Sequence, residues 1–305
     1  MANEVYYSGL TSSARVSAVL SQTIAIKLYD TASLVNHPSI LKVNAAPGST
    51  AVQVPVISWG ADGMAAVAEN ASVSNTSLAS TAATITLARQ ALRRQISDLA
   101  QATAQGVPLD VTVDNIATDM VAAYNKRATT MLTALASGFS NSVGSTGVDL
   151  SVTAFYNAIF SLQLTANSGQ FVAVLHNQQI NDLMSSLRSE TGPGQYLAAT
   201  QEMLVAKGPG FKGQLFGVDI FGSNTVATAN AGVDYLGMMF APNAIGMATA
   251  SVSPIMGATT TQPVSPVTVE FERDASNGST IIVGSVLCGV AEIDDAKGVG
   301  ILSDF

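Results

Sequence analysis

Apolar and polar residues alternate in two segments of the first third of the chain, which predicts a β-hairpin. Valine occupies every second position from 52 to 56, and the apolar residues of 81–87 recur with the same period. Pro55 cannot donate to a strand ladder, so its strand is expected at an edge or in a two-stranded ribbon. Residues 51–90 are therefore predicted to form a long hairpin with a tip of small residues. Because such a ribbon is marginally stable alone, it must lie on its own domain or on a neighbour.

The next segment has the period of a helix. Apolar residues recur every three or four positions between 116 and 135, and this stripe predicts a helix over residues 113–137. Thr112 is suited to the N-cap and Gly138 to the C′ position. A helix of that length spans roughly 37 Å at about 1.5 Å per residue.

Residues 151–254 mix helices and strands, which indicates an α/β or α+β unit. Ser151 and Asn177 are predicted to cap two helices on either side of a buried strand at 171–175, and residues 196–207 to form a further helix. Strands or short connections are predicted at 214–224, 234–240 and 244–253.

The last part of the chain predicts β structure. Residues 267–272 alternate, Asn277-Gly278 is a strong hairpin turn, and 280–290 would return as the second strand. Residues 298–302 could add a last short strand.

Charged residues make up only 11% of the 305 residues, against about a quarter in ordinary proteins. Either much of the surface is buried against copies of the chain, or this is an ordinary protein rich in Ala, Ser and Thr. The net charge is −8. Binding to nucleic-acid phosphates needs clustered cationic side chains, so the chain is not expected to bind nucleic acid strongly.

The sequence offers little catalytic or metal-binding chemistry. Residues 208–213 match G-x-G-x-x-G, but a predicted helix precedes them and a strand follows, the reverse of a dinucleotide site. His176 could be catalytic, although a histidine at the start of a helix is common. Glu292, Asp294 and Asp295 could bind a cation weakly or form a solvated turn. We expect no enzyme, no cofactor, no metal, no signal peptide and no membrane span, with Cys288 buried.

Three segments resemble a known family. They are FVAVLHNQQI at 171–180, QLFGVDIFGSN at 214–224 and QISD at 95–98. The predicted elements also follow the order of that family: a hairpin, a long helix, a mixed unit and a C-terminal hairpin. Together they resemble the major capsid proteins of tailed bacteriophages, whose fold encapsulins and the herpesvirus capsid floor share. The resemblance implies an α+β fold with four parts: an N-terminal arm (1–50), an extended loop (51–97), a peripheral domain with a long spine helix (98–150 and 255–305) and an axial α/β domain (151–254).

The function that the resemblance implies is structural. Pentamers and hexamers of the chain would assemble in the bacterial cytoplasm into the icosahedral shell that encloses the double-stranded DNA of a virion. Implied partners are other copies, a scaffolding protein, a portal and a possible decoration protein. An encapsulin-like compartment is the alternative, and a hydrolytic enzyme is the alternative from another class.

Four residues are candidate contacts between subunits. Trp59 on the extended loop is expected to touch the next subunit or to pack within the loop. Arg89, Arg93 and Arg94 at the base of the loop are expected to meet carboxylates of a neighbour or to form a solvated basic face. Some shells of this family cross-link through a lysine on that loop. No lysine lies between Lys42 and Lys126, so the shell is predicted to be non-covalent.

Overall fold

The fold is described from a computed structural model. It describes residues 35, 37–46, 49–58, 66–67, 69, 72–73, 79–99, 109–165, 170–189, 196–208, 210–250 and 267–304. None of the helices in these ranges is both long and apolar enough to cross a membrane.

Four α-helices and fifteen strands make up the described part. The helices are α1 (Leu109–Ala134), α2 (Val152–Thr165), α3 (Asn177–Ser189) and α4 (Gln201–Lys207). The strands are β1 (Leu41–Asn44), β2 (Ala51–Ser58), β3 (Ala79–Thr86), β4 (Ala88–Ser97), β5 (Ser142–Gly144), β6 (Val172–Leu175), β7 (Tyr196–Ala198), β8 (Phe211–Leu215), β9 (Val218–Gly222), β10 (Thr228–Ala229), β11 (Asp234–Phe240), β12 (Ile245–Ala250), β13 (Thr268–Asp274), β14 (Ser279–Glu292) and β15 (Gly298–Asp304).

The strands form three sheets. β14 is the centre of a five-stranded sheet: β4 pairs along one edge, β13 and β12 pair along the other, and β1 follows β12. The eight-stranded sheet has the order β5-β15-β11-β6-β9-β8-β7, with β10 beside β11. β2 and β3 form a separate two-stranded ribbon. The predicted α+β fold class is confirmed.

The eight-stranded sheet is buried on both faces at its centre, where every residue of β6 and β11 is buried. One face packs on α2 and α3, through Phe155, Ile159 and Leu183 among others. Alternate residues, such as Val174 and Met238, point to the other face and join the core of α1. The period-two alternation of a strand thus gives this sheet two separate apolar layers.

α1 has the predicted stripe, but it starts and ends differently from the prediction. It begins at Leu109, so Thr112 lies inside the helix and is not its N-cap. A 3₁₀ turn, Leu135–Ser137, follows α1, and Gly138 has a right-handed φ of −86°. The predicted left-handed C′ role is therefore wrong. A Cβ at this position would lie 2.8 Å from Oε2 of Glu292, so a larger residue would displace that flexible side chain.

The other helix starts also test the sequence pattern. Ser151 caps α2 as predicted, accepting from the Ala154 amide at 3.1 Å. The N-cap of α3 is His176 rather than Asn177: Nδ1 of His176 accepts from the Gln178 amide at 3.1 Å, and Oε1 of Gln179 accepts from the His176 amide at 3.0 Å. This reciprocal pair resembles a capping box, except that the N-cap side chain accepts from the second residue of the helix rather than the third.

The segment 196–207 is only partly helical. Tyr196–Ala198 pairs with β8 as strand β7, and α4 starts at Gln201 after Thr200, whose hydroxyl accepts from the Met203 amide.

The C-terminal hairpin has the predicted turn. Asp274 accepts from Ser276 and Asn277, and these hydrogen bonds lower its pKa to about 2.

Phe155 and Phe160 on α2 offer a matched test of this packing. Phe155 is fully buried and Phe160 is 52% exposed. Phe155→Ala should lower the free energy of unfolding by about 3–5 kcal/mol, because it leaves a cavity in the core. Phe160→Ala should change it by less than about 0.5 kcal/mol. Urea unfolding of dispersed subunits checks both, and equal effects would contradict the assigned orientation of α2.

Candidate assembly surfaces

The hairpin of β2 and β3 is the first surface of interest. The strands pair in register from Ala51 with Thr86 to Ser58 with Ala79. Its described residues are mostly exposed or half-buried, and Ile85 is the one that is fully buried. The pairing of β2 with β3 thus confirms the predicted two-stranded ribbon. Within the described part, neither long edge of the ribbon is paired with a third strand.

The root of the hairpin is held by close backbone contact. The Thr86 carbonyl oxygen lies 2.1 Å from where a Cβ on Gly289 would be, and Ile85 packs against Gly246 and Gly289. The Leu87 amide donates to the Thr50 carbonyl at 2.9 Å, which closes the base. Glycines in β12 and β14 therefore let the ribbon sit directly on the five-stranded sheet.

Arg94 is engaged inside the chain. Its Nε lies 2.5 Å from Oδ2 of Asp119, and its Nη2 lies 2.9 Å from Oδ1. These hydrogen bonds hold the pKa of Asp119 below its ordinary value. Asp119 is on α1, so Arg94 points to the face of the five-stranded sheet that α1 covers. A bidentate pair at the surface contributes mainly to orientation.

Arg89 and Arg93 point to the opposite face, since side chains alternate along a strand. Both are exposed, and within the described residues no hydrogen bond or ion pair engages either guanidinium. Arg93 is opposite Val283 of β14, which is in turn opposite Glu270 of β13.

Glu270 and Glu272 are likewise exposed and form no ion pair with a described residue. The face away from α1 thus has a basic edge on β4 and an acidic edge on β13. Two strand spacings, about 10 Å, separate the two backbones. The arrangement has opposite charges at opposite sides of one sheet. Trp59, the remaining candidate, lies outside the described residues.

Several solved structures share this architecture over most of their length. The capsid of Ralstonia phage GP4 matches with a TM-score of 0.61 and 10% identity, covering 87% of each chain. The capsid of cyanophage P-SCSP1u matches with a TM-score of 0.58 and 14% identity, covering 86% of each chain. This chain has the tailed-phage capsid fold. An encapsulin from Synechococcus elongatus also matches, with a TM-score of 0.57 and 11% identity, covering 86% of this chain and 84% of the encapsulin chain. Comparison with protein-family models and with curated protein sequences gave no match.

Within the capsid fold, the candidate chemical groups have structural partners. The His176 ring stacks on Tyr235 with centroids 3.6 Å apart, and its Nδ1 caps α3. Burial lowers the pKa of His176, which keeps the ring neutral and suited to accept that bond. Gly208 follows α4 and residues 211–213 already belong to β8, so a helix precedes the segment and a strand follows, as expected.

The acidic residues after β14 are used within the chain. Asp294 accepts from the Ala296 amide and pairs with Lys297 at 2.9 Å. Asp295 accepts from the amide and the hydroxyl of Ser140. No group of three or more potential metal ligands occurs among the residues that the structure describes. These carboxylates therefore serve as a capped turn.

A buried charge cluster was missed in the sequence. Asp219 is 1% exposed, and Nζ of Lys207 lies 2.6 Å from both of its carboxylate oxygens. Nε2 of Gln214 donates to the same carboxylate at 2.5 Å. Lys207 also lies over the Phe211 ring, 4.9 Å from its centroid. The cluster ties α4 to the end of the eight-stranded sheet. No motif spacing indicates it, because the partners are brought together only by pairing of β8 with β9.

Cys288 is buried, as expected from its apolar surroundings, and burial raises the pKa of its thiol. It lines a cavity of about 200 Å³ between α1 and the five-stranded sheet, with Met120, Tyr124 and Val286.

Glycines of β14 provide a test of how the hairpin is rooted. Gly289→Ala forces a Cβ against the rigid Thr86 carbonyl and should cost about 1–3 kcal/mol of stability. Gly284→Ala on the same strand meets only the flexible Met120 side chain, at 2.9 Å, and should cost less. Thermal unfolding measures both, and hydrogen exchange at the Leu87 amide should accelerate only in Gly289→Ala. Equal exchange in the two variants would contradict the proposed root.

Proposed function

We propose that the chain is the major capsid protein of a tailed phage, which assembles as pentamers and hexamers into an icosahedral shell around double-stranded DNA. The observation that carries the proposal is the match to the Ralstonia phage capsid across 87% of both chains at a TM-score of 0.61. A match over most of both chains favours a shell subunit over a shared fragment. An enzymatic role has no support in the described side chains.

The hairpin supports the same function on physical grounds. An exposed two-stranded ribbon with unpaired edges is a liability for a free monomer. In a shell the ribbon would reach over the adjacent subunit and gain a surface to lie on. We propose residues 51–97 as this extended loop, with Trp59 at the contact. Because no lysine occurs in it, the shell would be non-covalent.

The remaining parts follow as proposals: an N-terminal arm (1–50), a peripheral domain (98–150 and 255–305) and an axial domain (151–254). This division describes position in the shell rather than membership of sheets. β15 pairs with β11 of the axial range, β5 joins the same sheet through β15, and β12 of the axial range pairs with β14.

The wider setting would be a bacteriophage virion built in the host cytoplasm. A separate scaffolding protein, a portal and a decoration protein are the proposed partners. The net charge of −8 suits a wall that encloses DNA without binding it tightly. The encapsulin match supports a second candidate function, a shell around protein cargo.

Electron microscopy of the purified protein tests the proposal directly. The chain should form closed shells, or rings of five and six subunits, when produced with its scaffold. Nucleic acid in shells from infected cells would support the phage function, and packaged protein would support the encapsulin alternative. A chain that stays monomeric or dimeric with its scaffold present would contradict both.

We further propose that the basic edge of one subunit meets the acidic edge of the next. Arg89 and Arg93 have no carboxylate partner among the described residues. Glu270 and Glu272 likewise have no cationic partner there. Contacts that build a ring join two different surfaces of each subunit. Opposite charges on opposite edges of one sheet face satisfy that requirement. Arg94 would act less directly, because Asp119 already holds it.

Charge reversal with rescue tests this contact. Arg93→Glu and Glu270→Arg should each reduce the yield of shells at least about tenfold, because like charges would face each other across the contact. The double variant should recover assembly, since each contact again joins opposite charges. Yields are measured by sedimentation.

Lys126→Glu is the control for Arg93→Glu, because it makes the same change of net charge at an exposed position of α1. It should assemble normally. Failure of the double variant to recover would reject the pairing, while shells from Arg93→Glu at normal yield would show that this arginine is not at a contact.

A further inference from the structure

The outward face of α2 is apolar and uncharged. The helix contains no Asp, Glu, Lys or Arg among its 14 residues. Its inner face is buried in the core, but Tyr156, Phe160 and Leu164 on the outer face are 53%, 52% and 71% exposed. Their spacing of four residues places them in one line along the helix. We call this line the α2 stripe.

A helix at the surface of a free subunit normally carries charge on its outer face. The α2 stripe departs from that pattern, and the Phe216 ring extends it by meeting Tyr156 edge-on at 5.8 Å. The neighbouring exposed positions are polar but neutral, namely Thr153, Asn157 and Gln163. Aromatic residues without charge are the composition of the core of a protein interface rather than of a solvated surface.

We propose that a second copy of this chain covers the α2 stripe in the assembled shell, an inference that rests on the proposed function. The charge of the subunit argues for this occupant. Each copy carries −8, so two copies repel unless their contact faces are neutral or complementary. α2 offers a neutral face four turns long, on which identical acidic subunits meet without facing like charges.

The copy that covers the stripe would present a different surface, because rings of five or six are built from unlike faces. A second exposed apolar surface lies around α4 and β7, where Val205 is 82% and Leu197 is 60% exposed. α2 contacts β5, β15 and β11, whereas α4 contacts β8 beside the edge strand β7. Ile159 of α2 packs in the apolar core on one face of the eight-stranded sheet, whereas Met203 of α4 packs against the core on the other face. The two surfaces are therefore distinct, as a head-to-tail ring requires.

A labelling experiment tests whether the stripe is covered. Cys288 is buried and is the single cysteine of the chain, so Gln163→Cys introduces one accessible thiol beside the stripe. A small maleimide should label this thiol in dispersed subunits and at least about tenfold more slowly in rings or shells. Equal rates in rings and in dispersed subunits would overturn the inference and leave the shell function standing. If no rings or shells form at all, the proposed function fails and the inference fails with it.

Substitution within the stripe gives an independent test. Phe160→Asp should fold but lose shells at least about tenfold in yield, and Val205→Asp should show the same loss. Val233→Asp is the control at another exposed apolar residue, 53% exposed, and should assemble. Circular dichroism and thermal unfolding of the dispersed variants confirm folding. Normal shells from Phe160→Asp, or equal loss in the control, would overturn the inference.

Discussion

Both large sheets depend on the apolar stripe of α1. Met120, Leu132 and their neighbours on this helix share one core with Val174 of the eight-stranded sheet and Ile282 of the five-stranded sheet. Glycine permits the close approach on each side: Gly284 lies against the Met120 side chain, and Gly300 lies against the Ala136 carbonyl. Without α1, each sheet would expose an apolar face to water, and burial of such area is the main source of folding free energy.

Charged residues make up only 11% of the chain, and several of them join separate elements of the fold. Within the described part, ion pairs hold β4 to α1 through Arg94 and Asp119, and the end of β4 to β13 through Asp98 and Arg273. A further pair, Lys207 with Asp219, joins a buried carboxylate to a lysine side chain that is 26% exposed, and it fixes α4 on its sheet. On the face of the five-stranded sheet away from α1, charges without an ion-pair partner among the described residues lie on β4 and β13, whereas α2 carries no charge. The surface is thus divided into regions suited to different contacts.

Periodicity predicted the elements whose partners are near in sequence. The β2–β3 ribbon, α1, α2 and the β13–β14 hairpin were predicted, because each has one buried face and local turn or cap residues. The sequence did not predict which strands share a sheet. β4 was expected to be the last part of a loop, yet it pairs with β14 nearly two hundred positions later in the chain. Such pairing is decided by the fit of whole surfaces rather than by a local pattern.

Local errors had equally physical causes. Asn177 is an excellent capping residue by type, but His176 caps α3 because Gln179 is buried and returns a hydrogen bond to its amide. Tyr196 was expected in a helix, and pairing with β8 overrides that local preference. The arginines at the base of the hairpin were named as candidate contacts from the sequence. Their division between two faces of the sheet required the register.

β15 has a consequence for biosynthesis. This strand lies between β5 and β11, so residues near position 300 complete a sheet that begins near position 142. On a ribosome, β5 and β11 emerge long before the strand that joins them, and the sheet cannot close until that strand has been translated. The eight-stranded sheet, with every surface built on it, therefore forms only after residues 298–304 have been synthesised. Pairing between strands far apart in sequence is slow, so this sheet is the late-forming part of the fold.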